Sequence, residues 1–127
     1  MFKVLAAVAA GGVLGALARY GLGVVFPRTV TGFPWATFGI NVSGCLLIGV
    51  LIVLVGTQRR LLRPFLGTGV LGGYTTFSTY VVDTENLMRA GAPRTALLYL
   101  FGTLAAALLA TYAGIAGTRA LTRRTSA

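Results

Sequence analysis

The sequence predicts an all-α membrane protein with four transmembrane helices, the third of them broken at mid-membrane. Three observations carry this expectation. Apolar residues make up 56% of the 127, and the mean hydropathy is +0.84. A soluble domain of this size cannot bury that much apolar surface. The charges are also segregated. Apolar runs of about 20 residues, the length that spans a bilayer, alternate with short basic or turn-rich segments. Finally, one apolar run contains "GGYTTFSTY", Gly72 to Tyr80, whose two glycines and four Ser/Thr hydroxyls oppose a continuous helix.

The elements follow in order. The first span covers residues 4–26. Its start, "MFKVLAAVAAGG", could pass for a signal peptide, but the run continues through Arg19 and more spans follow. An uncleaved first span is expected. Gly11 and Gly15 are spaced as GxxxG, and Gly12 and Ala16 as its small-residue form. The spacing reads first as generic close packing and second as a dimer face. "FPRTVTGFP", with Pro27 and Pro34, is a loop. The second span covers 35–56, with Trp35 at an interface position. "TQRRLLRP" is a basic loop, and the third span covers 61–88. "RAGAPR" is a short loop whose Pro93 is placed to start a helix. The fourth span covers 95–117, and 118–127 reads as a basic, frayed tail. The whole chain, 1–127, reads as a single transmembrane domain.

Inventory excludes several functions. The net charge is +9, from 11 Lys and Arg against 2 acids. The arginines lie at the ends of apolar segments, as membrane loops have them, so nucleic acid is not an expected partner. There is no His and one Cys, Cys45. An internal disulfide, a Cys/His metal site and a Ser-His-Asp arrangement are all ruled out, and no enzyme is expected. With four spans both termini share one side. That side carries Lys3, Arg59, Arg60, Arg63, Arg119, Arg123 and Arg124, seven charges against three (Arg28, Arg89 and Arg94) on the other. The bias leans to a cytoplasmic N-terminus. Without the tail it is four against three.

Polar groups inside spans must face protein, water or a partner. Arg19, late in span one, either snorkels to an interface or points at an aqueous mouth. Asn41, in "FGINVSGCLLIG", is either an interhelical hydrogen bond or a pore-lining donor. Tyr99, Thr103, Ala107 and Thr111 recur every four residues in span four. They either form a hydroxyl stripe along a water path or bond back to their own helix. In "GGYTTFSTY" a break would free carbonyls for a cation and N–H groups for an anion. Phe77 and Tyr80, three residues apart, would share a face and could turn ring edges to an anion. The plainer alternative is a glycine kink beside two core aromatics.

In order and spacing, "GGVLGALARY", "FGINVSGCLLIG" and "GGYTTFSTY" resemble the three motifs of the Fluc (CrcB) fluoride channels, and the likeness covers nearly the whole chain. The resemblance implies a dual-topology dimer: two antiparallel subunits that form two pores and passively export cytoplasmic fluoride across the plasma membrane (the inner membrane of a bacterium). The partner would be a second copy or an inverted homologue. It implies a structural Na⁺ at the dimer centre, held by backbone carbonyls that map to Gly72 and Thr75. It implies an anion pathway along Asn41, Phe77, Ser78, Thr79, Tyr80, Tyr99 and Thr103, with Arg19 matching the Arg of the first motif. Two positions depart from the family: its second ring is usually Phe where Tyr80 stands, and Ala107 occupies a position where some members carry a further hydroxyl. Two rivals remain. A small proton-coupled multidrug exporter needs a carboxylate in a span, and the only acids, Asp83 and Glu85, fall near the end of span three. A non-transporting assembly subunit leaves "GGYTTFSTY" without a purpose.

Overall fold

The structure, a computed structural model, describes residues 1–126. Six helical segments follow one another: α1 Phe2–Val25, α2 Trp35–Leu54, α3 Pro64–Leu71, α4 Gly72–Tyr74, α5 Phe77–Arg89 and α6 Pro93–Ser126. Three of them, α1, α2 and α6 (over Pro93–Thr125), are long and apolar enough to cross a bilayer. The run expected as a broken third span is a bent arm of three segments. α3 passes directly into α4, and the chain breaks before α5. α3 is wound in wide π-helical turns, with the Gly72 N–H shared between the Gly67 and Gly69 carbonyls. Such turns are uncommon and gather at functional sites.

α1 packs on α3 and α4, α2 runs along α6, and α5 lies on α6. Glycine sets both main contacts. A Cβ on Gly11 would strike the Phe65 carbonyl, and one on Gly15 would overlap the Val70 carbonyl and sit 2.7 Å from the Tyr74 nitrogen. The GxxxG spacing is therefore spent within the chain, on α3 and α4. Between α2 and α6, Gly49 faces the Thr111 carbonyl and Gly114 faces the Leu46 carbonyl, with equally little room. Where lipid tails are as apolar as Leu, this close backbone approach is what drives helices together. Large apolar side chains accordingly point outward, among them Leu17, Phe101 and Leu108. The buried cluster is small: Leu87, Ala96 and Tyr99, flanked by Phe33, Phe38, Tyr80 and Ala92.

The α5–α6 turn explains itself residue by residue. Gly91 takes φ +80°, the left-handed conformation that suits glycine. Ala92 N–H donates to the Leu87 carbonyl at 2.9 Å and Gly91 N–H to the Met88 carbonyl at 3.3 Å, a Schellman closure. Pro93 then opens α6, as expected. The far end of α6 differs from expectation. The segment read as a frayed tail continues as helix to Ser126, while Ala127 lies outside the described residues. No proline interrupts it, and Arg123 and Arg124 in the last turn complement the negative end of the helix dipole.

Candidate functional site at the helix break

The break falls on two residues. Thr75 (φ −81°, ψ 157°) ends α4, and Thr76 (φ −149°, ψ 118°) caps α5, both in extended conformation. Thr76 Oγ1 accepts from Thr79 N–H at 3.2 Å, the ordinary hydrogen bond of an N-cap. A threonine three residues ahead of a helical donor is the sequence signal for this cap. No cap was expected at this position, where Thr76 counted only as a hydroxyl that weakens a helix. Thr75 Oγ1 turns back to the Leu71 carbonyl at 2.9 Å.

Extended backbone inside a helical protein leaves unpaired polar groups, and Asn41 meets both of Thr76's. Its Nδ2 donates to the Thr76 carbonyl at 2.9 Å, and its Oδ1 accepts from the Thr76 N–H at 2.8 Å. One side-chain amide thus replaces the partner strand that extended backbone would need. An amide has two N–H groups. The second finds no partner among the described residues. Nearby, Ser43 Oγ and Tyr74 Oη are 2.9 Å apart and tie α2 to α4.

The break also frees carbonyls. In an unbroken helix the Gly72 carbonyl would accept from Thr76 N–H and the Thr75 carbonyl from Thr79 N–H. Both donors are diverted, one to Asn41 and the other to the Thr76 hydroxyl. Gly72 and Thr75 both line a cavity of about 340 Å³ at the break. Asn41, Thr76, Phe77, Tyr80, Thr103 and Ala107 also line it.

Thr103 is the least settled of them. It is 4% exposed, and its Oγ1 has no hydrogen-bond partner among the described residues. Thr111, two turns on, bonds back to the Ala107 carbonyl at 3.0 Å. The two readings of the span-four stripe therefore apply to different residues: Thr111 serves its own helix, and Thr103 does not. Tyr99 stands apart from the cavity. It is fully buried, its hydroxyl donates to Asp83 Oδ2 at 3.2 Å, and its ring meets those of Tyr80 and Phe33 edge-on.

Phe77 and Tyr80 do share a face, with ring centroids 5.9 Å apart. Phe77 is 78% exposed in the single chain, and Tyr80 is half-buried. The Tyr80 hydroxyl is already engaged, donating to the Leu100 carbonyl of α6. Ser78 and Thr79 are exposed on the first turn of α5 and do not line this cavity. Thr79 lines a second hollow with Arg19 and Thr76, between α1 and α2, so Thr76 borders both spaces.

One buried charge went unassigned in the sequence. Asp83, 1% exposed, pairs through Oδ1 with Arg28 of the α1–α2 loop, while Glu85 pairs with Arg89 at 2.6 Å on the surface. The sequence placed Asp83 near the end of a span but gave no sign that a loop arginine 55 positions away would meet it. Among the described residues, no group of His, Cys, Asp and Glu is arranged to hold a metal.

The fold and site define a helical membrane protein whose bent arm breaks beside an unpaired hydroxyl, an amide and two rings, with backbone carbonyls freed at the break. The comparisons name the family. Residues 6–115 match the profile described as "CrcB-like protein, Camphor Resistance (CrcB)", and the chain belongs to that family. It is 56% identical over 104 residues to "Fluoride-specific ion channel FluC 2" of Streptomyces avermitilis, covering 80% of this chain and 66% of that protein. It is 52% identical over 112 residues to "Fluoride-specific ion channel FluC 1" of Streptomyces coelicolor, covering 86% and 73%. With "Fluoride-specific ion channel FluC" of Paracoccus denitrificans it shares 44% over 115 residues, covering 90% and 93%. The chain is a multi-pass protein of the plasma membrane.

Proposed function

We propose that this chain is a fluoride channel that passively carries cytoplasmic fluoride out of the cell. The names of its relatives support the ion, and one observation carries the site: the buried, unpartnered Thr103 hydroxyl on the cavity at the break. Burying a hydroxyl without a partner costs free energy, about 1–3 kcal/mol. Fluoride is small and accepts hydrogen bonds strongly. A path for it needs donors that replace lost water without forming one deep well. Thr103 and the second Asn41 N–H are donors of that kind. Ring edges of Phe77 and Tyr80 add a weak positive field.

In this reading α3, α4 and α5 together form the third of four crossings, with the break at mid-membrane. The working unit is an antiparallel dimer, made with a second copy or an inverted homologue. A 78% exposed Phe77 and a partly open cavity suit a partner that closes the path. The carbonyls of Gly72 and Thr75 fit a structural Na⁺, because hard oxygen ligands suit a hard cation and both have lost their helical donors. Two carbonyls are too few for one cation, and a two-fold axis at the break would double them.

The proton-coupled exporter would require Asp83 to give up and regain a proton. Asp83 is instead engaged by Arg28 and Tyr99 and does not line the cavity at the break, which supports the channel. The test is initial fluoride efflux from liposomes that hold only this chain, followed with a fluoride electrode. Thr103→Ser keeps the donor and should keep the flux. Thr103→Val removes it and should slow efflux at least tenfold. Equal flux in both variants would remove Thr103 from the path, and no flux in the unmodified chain would overturn the function.

A further inference from the structure

We propose a binding site for an anionic phospholipid in the groove between the end of α2 and the start of α3. The groove encloses about 630 Å³. Its rim carries three guanidinium groups, Arg59, Arg60 and Arg63, and its floor is apolar, with Ile48, Leu51 and Ile52. Arg63 is fixed in place: its Nη1 donates to the Val55 carbonyl at 3.0 Å, across the α2–α3 connection. A guanidinium has five N–H donors, so most of its fork remains for an anion.

Neither acidic side chain of this chain serves these arginines. The two acids, Asp83 and Glu85, both lie on α5 and are paired with Arg28 and Arg89. They sit at the opposite end of the molecule. Leu87 of α5 packs with Ala96 and Tyr99 near the start of α6, whereas the last turns of α2 run beside Thr111 and Gly114. Three cations at a membrane surface with no acidic side chain beside them among the described residues call for a counterion from outside. The apolar floor decides which. A free inorganic anion would gain nothing from Ile48, Leu51 and Ile52, but a phospholipid can lay an acyl chain there while its phosphodiester meets the rim. The geometry is that of a basic pocket between helices, filled from the leaflet on that side. This inference does not depend on the ion the protein carries.

Native mass spectrometry of the detergent-purified full chain, given equal amounts of phosphatidylglycerol and phosphatidylcholine, tests it. One phosphatidylglycerol should stay bound per chain and phosphatidylcholine should not. Arg59→Gln/Arg60→Gln alters two exposed side chains and should weaken retention roughly 30-fold. Ile52→Trp fills the floor, leaves all three charges, and should also lower retention. Inorganic phosphate at the lipid's concentration should leave the lipid in place. Equal retention of the two lipids, an unchanged Arg59→Gln/Arg60→Gln variant, an unchanged Ile52→Trp variant, or displacement by inorganic phosphate would each overturn the proposal.

Discussion

At the residue scale, Asn41 joins sequence to site most directly. Its residue type and depth in a span marked it as a polar group needing a partner, but two readings stayed open because the partner lies 35 positions away on another helix. The structure assigns both ends of the amide to Thr76. Asn41→Leu should leave a buried N–H and C=O unpaired. Each costs about 1–3 kcal/mol, so thermal unfolding of the purified protein should drop clearly, and Asn41→Asp, which keeps only the acceptor, should fall between. The Tyr80 departure from the family also has a physical answer. Its hydroxyl is spent on the Leu100 carbonyl, which fastens α5 to α6. Tyr80→Phe should then cost about 1 kcal/mol of stability and keep fluoride efflux. Tyr80→Ile removes the ring and should lose most of the flux. If Tyr80→Phe stops efflux as fully as Tyr80→Ile, the phenol oxygen carries the step and not the ring. Arg28 is a third case. Arg28→Gln strands the buried Asp83 charge at a cost of about 3 kcal/mol, the low end of the range because Arg28 is 44% exposed. Arg28→Gln/Asp83→Asn should recover much of that loss. A double variant no more stable than Arg28→Gln alone would mean that the pair contributes little.

Among the helices, composition made some features legible and hid others. Gly72, Gly73 and the hydroxyls after them announced a break, because both weaken a helix locally. They did not fix it at Thr75 and Thr76, since that choice depends on Asn41 waiting opposite. The π turns of α3 left no sequence mark. Nor did the helical end of α6: an exposed basic tail frays or winds according to what precedes it, and here 34 residues run without a stop. The GxxxG in α1 was visible as a spacing, while its target was not. That target gives a sharp comparison. Gly15→Ala would press a methyl into the Val70 carbonyl, whereas a Cβ on Gly12 meets nothing within 4 Å. Overpacking of this kind costs about 1–3 kcal/mol. Gly15→Ala should therefore lower the unfolding temperature of the purified protein by several degrees, while Gly12→Ala leaves it nearly unchanged. Equal loss in both would mean that α1 meets something on its Gly12 face, and a dimer contact would become the better account of the small-residue stripe.

For the whole molecule, the proposed pathway is incomplete in a single chain. Phe77 stands exposed, and the cavity at the break that it lines is partly open. Segregated apolar runs were enough to reveal a membrane protein, but a partner leaves no trace in one sequence beyond such unfinished surfaces. Charge sets the terms of the partnership. Seven basic residues gather at the end with both termini, against three at the other, and the two acids both lie toward that second end, where they neutralise Arg28 and Arg89. An antiparallel pair made from one chain requires insertion in both directions in spite of that bias. A cysteine-accessibility experiment decides the matter. With Cys45→Ala as background, Thr57→Cys and Ala90→Cys place single thiols in loops at opposite ends. A membrane-impermeant maleimide added outside intact cells should label about half of each if both orientations occur, because every loop then appears on both faces of the membrane. If Ala90→Cys is labelled completely and Thr57→Cys not at all, every copy sits with its N-terminus inward. Self-pairing would then be excluded, and the partner that closes the cavity would have to be a different chain whose charges run the other way.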